Sequence, residues 1–307
     1  MDVNREPGSV VASVLGRLRT AATLQGVPFN QVLQSYVIER FLHRLSKTKH
    51  VEGVLLKGAL LLKTLGLPRA RPTLDIDLLR RGPADRHTLM ALVRDCALIE
   101  DHSDGMTFEP TTIVAQDMPK DALHAGMRIE IAGRVQDVRL TVQIDFDVGD
   151  VVVPEPRLIE YPALLDPPVV RLRAYPVEAI IAEKFHAIVK LDVAKSGMKD
   201  FYDIWACSRH LQFDGAILAR SLASTFANRA SALPTQTPLA LTASYFEAES
   251  HWRQWLAFVT RISEVELVDQ FAHVLATVAD FVMPPARAAA NQAPFNSRWR
   301  PGGPWSD

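Results

Sequence analysis

One short run, TLDIDL from Thr73 to Leu78, constrains this chain more than any other stretch. Polar and apolar residues alternate in it, which is the period of a strand, where residues two apart share a face. Thr73, Asp75 and Asp77 therefore share one face, and Leu74, Ile76 and Leu78 share the other and need a core. Two neighbouring like charges repel, and each disfavours ionisation of the other. A hard divalent cation removes that cost, because Mg2+ takes one or two carboxylates together with phosphate oxygens. A surface hairpin with two solvated aspartates satisfies the same pattern without any ion.

The residues before the run favour the first of these. Lys57, Gly58 and Ala59 lead into an apolar helical stretch, LLLKTL, that stops at Gly66. Glycine lets the backbone come close to a ligand, and the start of a helix offers free N–H groups to an anion. A basic loop with Arg69, Arg71 and Pro72 joins this helix to the aspartates. Phosphate cradle, helix, basic loop and D-x-D together predict a metal-dependent nucleotidyl-transfer site, with Mg2+ or Mn2+ as the ion.

A second D-x-D closes the strand pattern LTVQIDFDVGD, in which Val142, Ile144 and Phe146 alternate with Gln143, Asp145 and Asp147. If that strand neighbours the first in a sheet, Asp145 supplies a third carboxylate to the same ions. Taken alone, the motif equally suits a strand end turning at Gly149. Other strands are expected at Thr111–Val114 and Gly126–Ile131, with a turn at Gly133-Arg134. Val51–Leu56 reads as a short buried strand, and Asp85 as the cap of a helix running through Cys96.

Two helices are expected between about Ser9 and Leu45, where Val32, Leu33, Tyr36, Val37, Phe41 and Leu42 form an apolar stripe. The basic end of the second helix (Arg44, Lys47, Lys49) is a solvated helix end or an RNA-contacting edge. Pro154, Pro156, Pro162, Pro167 and Pro168 predict a linker wrapped over a surface. Helices follow from Tyr175 to near Met283, broken at Ser196-Gly197 and carrying AEKFHAIVKL and MKDFYDIW. On the second of these, Lys199, Asp200 and Asp203 share a polar face; Lys184 and His186 lie on the helix before it. A lysine there can neutralise charge on a leaving pyrophosphate, and an aspartate can orient the lysine. Surface ion pairs at helical spacing are the plainer alternative for Lys184 and Lys199, and a helix-face histidine for His186. The expected domains are N-terminal helices (1–50), a sheet domain (51–170), a helical domain (171–283) and a flexible Pro/Ala/Arg-rich tail (284–307).

A net charge of −1 gives no global basic field, so any nucleic-acid contact needs a local patch such as Arg44, Lys47, Lys49, Lys63, Arg69 and Arg71. Two cysteines, Cys96 and Cys207, make no disulfide framework or metal spacing and read as small buried hydrophobes. No apolar run reaches the ~20 residues of a membrane span, and MDVNREPGSVV lacks the apolar core of a signal peptide. A cytoplasmic protein is the expectation.

LKGALLLKTLG with RPTLDIDL, then VQIDFDVGD, then AEKFHAIVKL and MKDFYDIW, in that order, resemble the AbiEii/AbiGii family of nucleotidyltransferases. These are toxins of abortive-infection toxin–antitoxin pairs, with a fold similar to the DNA polymerase β superfamily. The resemblance runs from about Val32 to His210, and its most specific segment is KDFYDIW. It implies an α+β fold: a nucleotidyltransferase-like mixed β-sheet flanked by helices, followed by a C-terminal helical bundle. By position, it implies that Asp75 and Asp77 hold Mg2+ on a nucleoside triphosphate and that Asp145 helps activate the acceptor hydroxyl. Lys184 would meet phosphate, Asp203 would close the catalytic set, and Lys57, Gly58, Ala59, Thr73, Lys199 and Asp200 would line the nucleotide pocket. It also implies an RNA acceptor, with the tRNA 3′ end favoured, growth arrest, and an antitoxin of winged helix-turn-helix type encoded nearby. Ala59 stands where the superfamily usually has serine. That departure keeps open a nucleotide-binding module with weakened catalysis. Nucleotidylation of a protein hydroxyl is a further alternative.

Overall fold

The computed structural model describes residues 7–67, 71–118, 126–165, 169–190 and 197–307. The expectations placed on Arg69, Pro167, Pro168 and Ser196 lie outside them. The chain divides into two units. The first takes the described residues within Met1–Gly66, Pro72–Gly149 and Arg157–Ala174, and the second takes those within Leu67–Arg71, Asp150–Pro156 and Tyr175–Asp307.

The first unit begins with helices α1 (Pro7–Gln25) and α2 (Phe29–Ser46), strand β1 (Val54–Lys57) and short helix α3 (Gly58–Lys63). Strand β2 (Asp75–Arg80) and helix α4 (Arg86–Ala97) follow, α4 being capped by Asp85, which accepts from the Thr88 backbone N–H. Then come the long strands β3 (Thr107–Asp117), β4 (Gly126–Val135) and β5 (Val138–Val148), and the short β6 (Arg157–Tyr161) and β7 (Val170–Ala174). They form one seven-stranded mixed sheet in the order β3-β4-β5-β2-β1-β7-β6. The β2–β5 and β1–β7 pairs are parallel; the remaining neighbours are antiparallel.

Register sorts the residues of this sheet by face. Leu56, Leu78 and Phe146 are cross-strand partners, as are Ile76 and Ile144, and all are essentially buried. Val37 of α2 and Phe108 of β3 both crowd Gly133 of β4, so α2 covers the apolar face. Phe41 adds an edge-to-face contact with Phe108 at 5.6 Å. The opposite face carries Lys57, Asp75, Asp77, Asp145, Asp147 and Arg128.

Three expectations change here. The proline-rich linker holds two strands, because Arg157–Tyr161 pairs with Val170–Ala174, with Pro154, Pro156 and Pro162 outside the ladder. The β4–β5 turn is not at Gly133-Arg134, which lie within β4; the chain reverses at Gln136, whose φ of 52° is the left-handed conformation of such turns. Thr73 precedes β2 rather than standing in it, and its hydroxyl accepts from the Asp75 backbone N–H at 3.5 Å.

The second unit is mostly helical: α5 (Val177–Lys190), α6 (Met198–His210), α7 (Gly215–Asn228), the single turn α8 (Ala243–Phe246), α9 (Glu249–Arg261) and α10 (Phe271–Ala290). Phe185, Phe201, Phe226, Trp255 and Phe281 fill its core, with Trp255 stacked on Phe271 at 4.9 Å. Small strands β8 (Phe213–Asp214), β9 (Arg298–Trp299) and β10 (Trp305–Ser306) form a separate sheet.

The residues expected as a flexible tail are therefore structured. Helix α10 runs through Pro284 and Pro285 to Ala290. Proline lacks the N–H that would bond the carbonyl four residues back, which for Pro285 is Phe281. That carbonyl instead accepts from the Trp305 indole N–H at 3.0 Å, and the Trp305 ring stacks on Phe281 at 5.8 Å. The Trp299 indole N–H donates to the Ser208 carbonyl at 2.7 Å, fixing β9 to the end of α6.

Candidate active site

In the first unit the site is a line of charge across the polar face. Lys57, Asp77, Asp145 and Arg128 occupy one register row over β1, β2, β5 and β4. Asp75 stands one pleat along, opposite Gln143. The Lys57 ammonium donates to Asp147 Oδ2 at 2.8 Å, both side chains being largely buried. The Arg128 guanidinium grips Asp145 with both arms: Nε to Oδ1 at 2.9 Å and Nη2 to Oδ2 at 2.8 Å. The hydrogen bond to Asp145 raises the Arg128 pKa against the opposing effect of burial, and the charges of Asp145, Asp75 and Glu130 add to it.

Gly58 shapes the middle of this row. Its φ of +67° is a left-handed conformation that glycine adopts freely. A Cβ there would overlap the Asp77 carboxylate and lie 2.7 Å from its Cγ. The glycine thus leaves the space that Asp77 fills. Asp75 and Asp77 are the donors that a hard divalent cation takes, two carboxylates on one strand face. Asp145 is in register beside them, but both of its oxygens are engaged by Arg128. Among the described residues no three His, Cys, Asp or Glu side chains are grouped to hold a metal ion. The three carboxylates expected to share an ion thus lie on one sheet face, with Asp145 held by Arg128. Ala59 is buried at the start of α3, and Thr73 lies just before Asp75.

In the second unit Lys184, Asp200 and Asp203 meet in one buried cluster. Lys184 Nζ donates to Asp200 Oδ1 at 2.8 Å and lies 2.7 Å from Asp203 Oδ2. Arg71 holds both Asp203 oxygens through Nε and Nη2 at 3.0 to 3.2 Å. Burial favours neutral Lys184, but the charges of Asp200 and Asp203 outweigh it and raise its pKa. Burial likewise works against the Asp203 carboxylate, yet Lys184 and Arg71 prevail and hold it below the usual range. The plainer alternative of solvated pairs fails for Lys184. Lys199 is exposed on α6, and the oxygens of Asp203, four residues on, are taken by Lys184 and Arg71 instead.

His186 is structural. Arg229 donates to its Nδ1 at 3.1 Å, which leaves Nε2 to donate to Ser231 Oγ at 3.1 Å. The two cysteines are buried and free, as expected.

The expected basic patch does not form as a set. Arg44 is 1% exposed and salt-bridged to Asp104 at 2.6 Å, because α2 turns that face inward. Arg71 is committed to Asp203, and Lys63 donates to Ser35 Oγ at 3.3 Å. Lys47 and Lys49 remain exposed.

Sequence reasoning missed Arg128 and the role of Arg71. The signal for Arg128 was the β4–β5 hairpin, whose true turn sets it opposite Asp145. Placing the turn at Gly133 moves the register and separates them. Nothing local in the sequence pairs Arg71 with Asp203, which lies far along the chain.

A family model described as "Nucleotidyl transferase AbiEii toxin, Type IV TA system" matches residues 40–277. Among solved structures, JHP933 from Helicobacter pylori is similar with a TM-score of 0.51 and 15% identity, over 86% of this chain and 96% of that one. A second H. pylori structure, provisionally described as a nucleotidyltransferase, has a TM-score of 0.48 and 14% identity, over 87% of this chain and 97% of that one. At 15% identity the likeness to JHP933 is one of fold. A search of curated proteins finds no match.

Proposed function

Because the chain belongs to the AbiEii family of nucleotidyltransferase toxins of type IV toxin–antitoxin systems, we propose that it transfers a nucleotide from a nucleoside triphosphate to an RNA acceptor, the tRNA 3′ end, and arrests growth. One observation carries the choice of site: Asp75 and Asp77 share a strand face, with the backbone of Gly58 set against Asp77.

In this reading Asp75 and Asp77 hold Mg2+ or Mn2+ together with the triphosphate. Bound there, the cation supplies Lewis acidity to the phosphoryl oxygens and lowers the pKa of the acceptor hydroxyl. Asp145 accepts the proton of that hydroxyl once its oxygens are released. Lys57 holds Asp147 and fixes the strand edge beside the pair. In the second unit Lys184 uses two of its three N–H groups on Asp200 and Asp203. The antitoxin is expected from a neighbouring reading frame, as a winged helix-turn-helix protein. A cytoplasmic location suits this partner and substrate; among the described residues no helix is long and apolar enough to cross a membrane.

The test is label transfer from each of the labelled triphosphates to total tRNA with Mg2+, comparing wild type with Asp75→Ala. Transfer by wild type alone supports the reading. No transfer by wild type, or equal transfer by both, refutes it. A second reading, a nucleotide-binding module that does not turn over, is favoured by the clamp on Asp145. Binding of a triphosphate that stays intact with every acceptor, RNA or protein, would select it.

A further inference from the structure

Arg128 neutralises a carboxylate on the site face. Its fork engages both Asp145 oxygens, the strongest form of ion pair open to a side chain. A carboxylate held in this way has its negative charge already compensated and both oxygens occupied, which makes it a poor metal donor. The guanidinium also lies close enough to Asp75 to feel its charge. The pair is asymmetric: the Asp145 side chain is 11% exposed and the Arg128 side chain 38%. Asp145 is fixed in the sheet by the register with Asp77, whereas Arg128 reaches over from β4 with solvent on one side. The arginine is the partner with room to leave.

We propose that Arg128 is a positioning residue that competes with the divalent cation for Asp145, so that the site takes up its ion fully only when the guanidinium lets go. The inference rests on the reading of the site given above. It makes Arg128 a resident counter-charge: it holds Asp145 in place between turnovers and sets the cation concentration at which the site fills. Lys57, bound to Asp147 with both side chains largely buried, has no such freedom and serves as a fixed strut.

The test is direct binding of Mn2+ alone, followed by the electron paramagnetic resonance of the free ion, with wild type, Arg128→Gln, Arg128→Lys, Asp145→Asn and the Gln/Asn double variant. Arg128→Gln is expected to bind Mn2+ about tenfold more tightly, ~1.4 kcal/mol. Arg128→Lys is expected to gain less, since an ammonium keeps the charge but cannot engage both oxygens at once. In the Asp145→Asn background, removing Arg128 should bring no gain. Equal Mn2+ affinity of wild type and Arg128→Gln overturns the inference, and so does an equal gain in the Asp145→Asn background, which would be a bulk charge effect. If those affinities are equal while wild type still labels RNA, this inference falls alone. If no chain binds Mn2+, the metal-dependent reading falls with it. Thermal unfolding of each variant confirms that a folded chain is being titrated, and Arg128→Lys carries the comparison if Arg128→Gln unfolds.

Discussion

Replacing Gly58 by alanine tests the centre of the site by two separable costs. The first is conformational. At φ +67° an L residue pays roughly 1–2 kcal/mol that glycine does not. The second is steric. The added Cβ would lie 2.7 Å from Asp77 Cγ and 2.9 Å from Asp77 Cβ. The carboxylate can rotate, but Asp77 Cβ is fixed by the β1–β2 ladder, where Lys57 and Asp77 are direct partners. Relief must come from parting the strands, and overpacking of this kind costs about 1–3 kcal/mol. The expected total is about 2–5 kcal/mol, read as a lower urea midpoint. Activity should fall further than stability, since a shift of ~1 Å in a catalytic group can cost ~100-fold. Gly66→Ala is the control, because Gly66 has φ +66° with nothing within 4 Å of a built Cβ. It should pay only the first cost and retain label transfer. If the two variants lose the same stability and the same activity, the contact between Gly58 and Asp77 is irrelevant and the placement of the site is wrong.

Other outcomes follow from the second unit and the core. Asp203 has a depressed folded pKa, so it contributes stability that is present above its unfolded value of ~3.9 and lost as pH falls through the folded value. Urea midpoints of Asp203→Asn should therefore be lower than wild type near neutrality and converge with it in acid; parallel curves would refute this. Lys184 has a raised folded pKa, so its contribution is full below ~10.4 and fades only in strong alkali as pH rises through the folded value. Trp305→Phe keeps the stacked ring but strands the Phe281 carbonyl, and should cost ~1–3 kcal/mol; wild-type stability would show that the indole N–H does nothing. Burial pushes the Cys96 thiol up to about 12 and Cys207 higher still, so neither should react with maleimide in the native protein at pH 7.5, and prompt labelling of either would contradict their burial.

The sequence carried the parts of the fold that depend on local period. Alternation at Asp75–Leu78 and Val142–Asp147 marked the two strands that lie side by side, and the stripe from Val32 to Leu42 marked the helix over them. What depended on pairing was hidden. A turn misplaced at Gly133 concealed Arg128, and prolines flanking β6 disguised a strand as a linker. Arg44 read as a basic helix end because nothing near it in the chain announces Asp104, its buried partner. Local charge pattern cannot distinguish an arginine that meets solvent from one that meets a distant carboxylate. Of the candidate site, the acidic residues were legible by spacing, whereas the cations that neutralise them were supplied by register.

The indole that completes α10 has a wider effect. A helix with adjacent prolines near its end is missing bonds that its own backbone cannot make. Trp305 replaces one of them from outside, so the final turns of α10 and the β8–β9–β10 ribbon are ordered as one cooperative piece. Amide exchange in residues 286–290 should then report on the ribbon as faithfully as on the helix. A ligand or lesion that lifts the ribbon would be felt as fraying of the helix, with no direct touch upon it.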